Sequence, residues 1–140
     1  MPKPRVILAW SLALAAHAVL LVGVGSMVRL GMRTLILCTG HTALKQWKRE
    51  ILERTTLTED DVGEYTSQTK ELRPVTLTTY QILTWRPDAN SPPAHFGLFY
   101  QANWGLVIYD EVHLLPAPIF REAAYLQARR RLGLTATLVR

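Results

Sequence analysis

Two short runs of the chain are apolar at nearly every position, and they limit the fold more than any other feature. These runs are Thr34 to Cys38 (TLILC) and Gly105 to Tyr109 (GLVIY). A strand with one solvated face alternates apolar and polar residues, so an uninterrupted apolar strand needs cover on both faces. The segment from His41 to Arg54 has helical spacing, with Leu44 and Trp47 on its apolar side. Strands alternating with helices predict an α/β fold with a mostly parallel sheet and helices on both faces.

The remaining segments fit the same alternation. The carboxyl ends of the strands are where such a sheet places its functional groups. We predict short strands at Val75 to Thr79 and Arg131 to Thr135 and helices at Tyr80 to Trp85 and Ala117 to Ala128. The polar segment from Glu59 to Lys70 is predicted to be a loop with at most a short strand at Val62 to Tyr65, and Arg86 to His95 a surface loop.

Chain length and charge narrow the function classes. With 140 residues the chain is long enough for one domain and too short for two. The net charge of +5 suits a polyanionic partner such as nucleic acid, although many basic proteins bind none. The single cysteine, Cys38, excludes an internal disulfide and a cysteine-based metal cluster. Because Cys38 lies in an apolar run, we expect a buried, unreactive thiol.

The N-terminal region allows two interpretations. From Val6 to Val28 there are 23 residues without a formal charge, and Ala16-His17-Ala18 resembles a signal-peptidase site. Hydropathy alone therefore favours a signal peptide or a membrane anchor. The alternative is a buried helix of the α/β domain, which can be apolar on every side.

The strongest candidate for chemistry is an acidic pair, Asp110-Glu111, at the end of the apolar run from Gly105 to Tyr109. In nucleotide-hydrolysing folds, one carboxylate so placed binds Mg²⁺ and a second orients the attacking water. Taken alone, such a pair more often only ends a strand in solvent. His113, two residues further on, would by itself be read as a structural histidine.

A second candidate follows about twenty residues later. Thr135-Ala136-Thr137 presents two hydroxyls at the end of another short strand. Such hydroxyls can hydrogen-bond to the acidic motif and relay its state to a neighbouring domain. Alone, the triplet is a common turn; following Asp-Glu-x-His, it is far more specific.

Together these motifs resemble those of a superfamily 2 helicase. Asp110-Glu111-Val112-His113 is similar to motif II and Thr135-Ala136-Thr137 to motif III. The chain resembles the XPB family of DNA repair helicases in particular, in the segments LKQWKREILERTTLTEDDVGEY, RPVTLTTYQIL and WGLVIYDEVHLLPAPIFR. The resemblance runs from about Leu21 to Arg140.

The resemblance implies a RecA-like domain of the P-loop NTPase type that uses ATP and Mg²⁺. Asp110 would bind Mg²⁺, Glu111 would activate water, and His113 with the motif III residues would couple hydrolysis to domain closure. Cys38 to Leu44 corresponds to motif Ia and Thr78 to Gln81 to motif Ib, both implying contacts to the DNA backbone. The implied DNA-binding residues are Thr39, Gly40, Lys45, Thr79 and Tyr80. Without the family, Tyr80 would be read as a core aromatic residue and the lysines as a solvated face.

The chain departs from the family at the P-loop. No GxxxxGK[ST] motif occurs in the 140 residues, although its glycines and lysine hold the phosphates in ATPases of this kind. Leu21 to Met27 resembles the helix that follows the P-loop, so the Gly-Lys-Thr positions would fall on Ala18, Val19 and Leu20. We therefore expect an apolar segment foreign to the family at 1–20, either an artefact or an altered start, and an incomplete helicase ATP-binding domain at 21–140.

Several expectations follow from the resemblance. The intact relative would be an ATP-dependent 3′–5′ DNA helicase or translocase of nucleotide excision repair, with DNA, a second RecA-like domain and repair proteins as partners. It would act in the cytoplasm, or in the nucleus of a eukaryote, and away from membranes. This chain would lack ATP turnover. Two other functions remain open for the chain: a catalytically dead nucleic-acid-binding or partner-binding remnant, and a small membrane-anchored protein with vestigial motifs. A restriction-enzyme or UvrB-like motor is a third alternative, but the segments quoted above fit it poorly.

Overall fold

A five-stranded parallel sheet forms the centre of the computed structural model, which describes residues 20–134. Its order is β2-β3-β1-β4-β5 and every pairing of neighbouring strands is parallel. The predicted α/β architecture is therefore confirmed. The strands are β1 (Arg33–Cys38), β2 (Val62–Tyr65), β3 (Val75–Thr79), β4 (Trp104–Tyr109) and β5 (Ala128–Gly133).

Helices lie in the connections between parallel strands, the usual arrangement, except between β2 and β3, where residues 66–74 contain no helix. Residues 20–29 are helical and are called α1 here. A single 3₁₀ turn, Val112–Leu114, follows β4. The other helices are α2 (His41–Arg54), α3 (Tyr80–Thr84), α4 (Phe96–Gln101) and α5 (Ala117–Ala124).

The sheet divides the interior into two apolar cores. Ile36 of β1 and Ile108 of β4 pack in one core with residues of α1 and α2. Leu35 and Val107, their neighbours along the strands, pack in the other core with residues of α3, α4 and α5. Successive side chains of a strand point to opposite faces, so strands buried on both sides must be apolar throughout, which confirms the prediction of helices on both faces.

The predicted bounds of α5 and β5 were wrong. Helix α5 ends at Ala124 rather than Ala128, because the next residues serve the sheet: Leu126 is fully buried and Ala128 pairs with Trp104. Strand β5 accordingly runs through Gly133 and begins three residues earlier than expected. Arginine favours helices by intrinsic propensity, but hydrogen bonding to β4 makes this segment a strand. Its exposed charges are common on a strand at the edge of a sheet.

Helix α4 was not predicted. Its six residues, FGLFYQ, include a glycine, and His95 before it offers no side-chain cap. Burial of Phe99 and its ring contact with Tyr65 hold this short helix in place. A tertiary contact of this kind leaves no local signal in the sequence.

The apolar N-terminal region is described only from Leu20 onward. Leu20, Leu21 and Val24 of α1 are buried against β1 and α2, as expected of a helix in an α/β domain. Among residues 20–134, no helix is long and apolar enough to cross a membrane.

Candidate functional site

The acidic pair lies at the carboxyl edge of the sheet, where β4 ends between β1 and β5. The Asp110 N–H donates to the carbonyl of Leu37 in β1 at 2.9 Å. On the other side, the N–H of Leu134 donates to the Tyr109 carbonyl at 2.8 Å, and the N–H of Val112 donates to the Leu134 carbonyl at 2.9 Å. Both neighbouring strands therefore fix the backbone around the acidic pair.

Two buried aromatic side chains hold Asp110 itself. The indole Nε1 of Trp47 donates to Asp110 Oδ2 at 3.0 Å, and the hydroxyl of Tyr80 donates to the Asp110 carbonyl at 2.8 Å. Trp47 is 3% exposed and Tyr80 4% exposed. Asp110 is partly exposed, so it is anchored from within the protein without being fully buried.

Glu111 has an unusual backbone conformation. Its φ of 51° and ψ of 44° lie in the left-handed region, and it is the one non-glycine residue with positive φ in the described part of the chain. Side chains other than Gly, Asn and Asp rarely adopt this conformation. Residues held in it cluster at functional sites, so the geometry supports Glu111 as a candidate.

The other predicted site residues of motifs II and III have different positions. His113 lies in the 3₁₀ turn after the acidic pair and is exposed. Thr135, Ala136 and Thr137 lie outside the described residues, so their predicted coupling role stays a prediction.

The carboxylates suit Mg²⁺ only in part. Asp110 and Glu111 offer hard oxygen ligands of the kind Mg²⁺ prefers. Across residues 20–134, no cluster of three or more His, Cys, Asp or Glu side chains could hold a metal ion. The site therefore fits Mg²⁺ that shares its coordination with water and phosphate oxygens, which is the usual arrangement for this ion.

The groups beneath Asp110 are held in their neutral forms. Burial, and secondarily the charge of Asp110, raises the pKa of the Cys38 thiol well above its usual range. Burial and the same charge raise the pKa of the Tyr80 hydroxyl. Cys38 is fully buried, so the expectation of a buried thiol is confirmed.

The predicted DNA contacts after β1 lie on the surface. Thr39 is exposed and Gly40 is partly exposed at the start of α2. Lys45, one turn into α2, is 65% exposed at its side chain and forms an ion pair with the buried Glu64 at 2.9 Å. A shallow groove on this face is lined by His41, Thr42, Lys45, Gln46 and Arg49.

The predicted contacts after β3 point inward. Thr79 is 2% exposed, and its hydroxyl caps α3 by accepting from the Ile82 N–H at 3.3 Å. The Tyr80 hydroxyl is occupied by the Asp110 carbonyl. These side chains are thus committed to the protein, and DNA contact by them stays a prediction that would need other atoms of the same turn, such as the exposed Gln81.

Sequence reasoning missed two features of the site. Trp47 was read only as a residue of the apolar face of α2. A buried tryptophan needs an acceptor for its N–H, but the sequence does not say which one. The sequence analysis did not single out Arg49, which lines the groove beside Lys45.

The chain is similar to helicases in sequence and in structure. The family described as type III restriction enzyme, res subunit, matches residues 13–140. A DNA 3′–5′ helicase XPB from Mycobacterium tuberculosis is 55% identical over 120 residues, which cover 86% of this chain and 22% of that protein. A DNA 3′–5′ helicase XPB from Kineococcus radiotolerans is 57% identical over 120 residues, covering 86% and 21%.

Among solved structures, the UvsW helicase from bacteriophage T4 has a TM-score of 0.68 at 14% identity, covering 89% of this chain and 44% of that one. At this identity the likeness concerns the fold alone. The chain spans about a fifth of the length of the curated relatives it matches.

Proposed function

We propose that the site of this chain serves ATP-dependent movement along DNA. The premise is its family: the chain belongs to the family described as type III restriction enzyme, res subunit, and within it to the XPB helicases. The whole protein would be a 3′–5′ DNA helicase or translocase acting in nucleotide excision repair. The single observation that carries this proposal is the pair Asp110-Glu111, fixed at the carboxyl edge of a parallel sheet by β1, β5, Trp47 and Tyr80.

Each site residue has a role in this proposal. Asp110 would bind Mg²⁺ through the carboxylate oxygen that Trp47 does not occupy, and Glu111 would orient and deprotonate the attacking water. Mg²⁺, when bound, neutralises charge on the transferred phosphoryl group. His113 and the motif III residues Thr135, Ala136 and Thr137 would relay the state of this site to a neighbouring domain.

We propose that the basic groove on α2 contacts the DNA backbone. The first turn of α2 has no acidic residue, and no side chain caps it, so its N–H groups suit a phosphate. Lys45 and Arg49 line this groove, and Thr39 and Gly40 directly precede the helix. Because the groove faces phosphates rather than base edges, binding would be independent of base sequence.

A salt titration tests the DNA contact. If about three phosphates are neutralised, log K should fall with log salt at a slope of about −2 to −3. Fluorescence anisotropy with labelled single-stranded DNA measures this slope. Arg49→Ala should weaken binding and make the slope less steep by about 1, whereas Arg121→Ala, an exposed arginine on α5 at the other face of the sheet, should change neither. Equal effects of the two substitutions would contradict the groove as the binding surface.

A second candidate function is DNA or partner binding without turnover. It is favoured by the absence of GxxxxGK[ST] from the 140 residues, since the lysine of this motif reaches the β- and γ-phosphates. We propose that these 140 residues alone show no DNA-stimulated ATP hydrolysis. Phosphate release with and without single-stranded DNA tests this, and turnover that disappears in Glu111→Gln would contradict it.

The proposed partners follow from the site. DNA is the direct partner; a second RecA-like domain and repair proteins would complete the motor. The named relatives are DNA helicases, so we propose a cytoplasmic protein, or a nuclear one in a eukaryote.

A further inference from the structure

Trp47 connects the interior of the protein to the carboxylate of Asp110. Its indole Nε1 donates to Asp110 Oδ2 at 3.0 Å across 63 positions of sequence. The ring itself is 3% exposed and packs in the core between α2 and the sheet, with Leu44 and Ile51 of the same helix and Ile36 of β1. The donor is therefore rigidly placed, because the core holds the ring that carries it.

The carboxylate of Asp110 needs such an anchor. Its terminal torsion has a broad, roughly two-fold preference, so the side chain alone does not choose which oxygen faces outward. The Leu37 carbonyl and the Tyr80 hydroxyl hold the Asp110 backbone, but they do not fix the carboxylate. Within residues 20–134, the bond from Trp47 is the one that selects a carboxylate oxygen, Oδ2, and it leaves Oδ1 for a ligand.

A second buried tryptophan satisfies its indole N–H in a different way. Trp104 is fully buried, and its Nε1 donates to the Phe99 carbonyl at 2.8 Å. A backbone carbonyl satisfies the donor there. Trp47 instead donates to the side chain of Asp110, a partly exposed residue, whose carboxylate is the one that the proposed function gives to Mg²⁺.

We propose that Trp47 is a positioning residue, which orients the Asp110 carboxylate so that one oxygen faces the ligand. This inference rests on the proposed function of Asp110. Mg²⁺ demands near-ideal octahedral geometry, which a single carboxylate oxygen satisfies better than the narrow bite of two. If the Trp47 donor is removed, the freed Oδ2 therefore adds little to the binding of the ion. The Asp110 side chain is then no longer oriented in advance, so the binding of the ion has to immobilise it.

Mn²⁺ broadening of NMR signals tests the inference on the complete chain. Mn²⁺ serves as the paramagnetic substitute for Mg²⁺, and the amide signals of residues 110–112 report its binding. Trp47→Phe keeps a ring in the core and removes the donor, so half-broadening should need about two- to tenfold more Mn²⁺, as expected when a side chain has to be immobilised on binding. Trp104→Phe, the matched change at the other buried indole, should leave the concentration unchanged.

Two substitutions of Asp110 distinguish the loss of its hydrogen bond with Trp47 from the loss of metal binding. Asp110→Ala should move the Trp47 indole N–H signal and leave that of Trp104 in place. Asp110→Asn keeps an oxygen acceptor for the indole, so the Trp47 signal should remain close to its original position while Mn²⁺ broadening is lost.

The outcomes distinguish this inference from the proposed function. If Asp110→Asn abolishes broadening and Trp47→Phe leaves it unchanged or strengthens it, Trp47 does not position Asp110, and the metal role of Asp110 stands. If Asp110→Ala leaves the Trp47 indole signal unmoved, the contact is absent and the inference fails, whether or not the Trp47 variant folds. If Asp110→Asn leaves broadening unchanged, the metal role fails and the inference fails with it.

Discussion

The left-handed backbone of Glu111 predicts an unusual result: replacing this glutamate by glycine should stabilise the protein. An L-residue in this conformation costs roughly 1–2 kcal/mol, and Glu111 has a φ of 51°. Glycine avoids that cost but loses about 0.5–1 kcal/mol more backbone entropy on folding. The difference leaves Glu111→Gly about 0.5–1 kcal/mol more stable than the original chain.

A matched substitution isolates the backbone contribution. Glu111→Ala removes the same carboxylate but keeps a Cβ, so it retains the left-handed cost. Any interactions of the carboxylate therefore cancel between the two variants. The backbone bond in which the Glu111 carbonyl accepts from the Leu114 N–H at 2.9 Å is available to all three chains.

Urea unfolding followed by circular dichroism measures the free energies. We expect the free energy of unfolding of Glu111→Gly to exceed that of Glu111→Ala by the same amount, about 0.5–1 kcal/mol, with an unchanged dependence on urea. A glycine variant no more stable than the alanine variant would refute the reasoning. A gain would indicate that the glutamate is kept at the expense of stability, as expected of a carboxylate retained for chemistry.

Two further predictions concern stability. Lys45→Ala should lower the free energy of unfolding by about 1 kcal/mol, because it leaves the 7% exposed Glu64 without its cation. Urea unfolding should show that the double variant Lys45→Ala with Glu64→Gln regains most of this loss. If it does not, the ion pair is not the cause of the loss. Stability should also fall as the pH rises above about 9, the ordinary pKa of a thiol, because burial raises the pKa of Cys38 in the folded chain and the unfolded chain loses its proton first. Cys38→Ala should postpone that loss to higher pH in thermal melts recorded across the alkaline range, and an identical onset would exclude the thiol.

The order of elements could be read from the sequence because each rests on a local pattern. The uniformly apolar runs of β1 and β4 predicted burial on both faces, and the two cores confirm it. Helical spacing gave α2 its observed bounds, His41–Arg54. The position of Asp110 at a strand end followed from the run before it. These features depend on residues close together in the chain, where periodicity is informative.

Tertiary structure decided the features that depend on distant residues. The strand β5 begins at Ala128, within the predicted helix, because this segment pairs with β4. Helix α4 forms because Phe99 is buried in the core. The sequence did not reveal that the side chains of Thr79 and Tyr80 cap α3 and hold Asp110; their contact with DNA stays a prediction. The bond between Trp47 and Asp110 spans 63 positions, so no local pattern records it. The sequence by itself determined which residues form the sheet and carry the carboxylates; packing determined which neighbours hold those carboxylates, since only the folded chain brings α2, α3 and β4 to one edge.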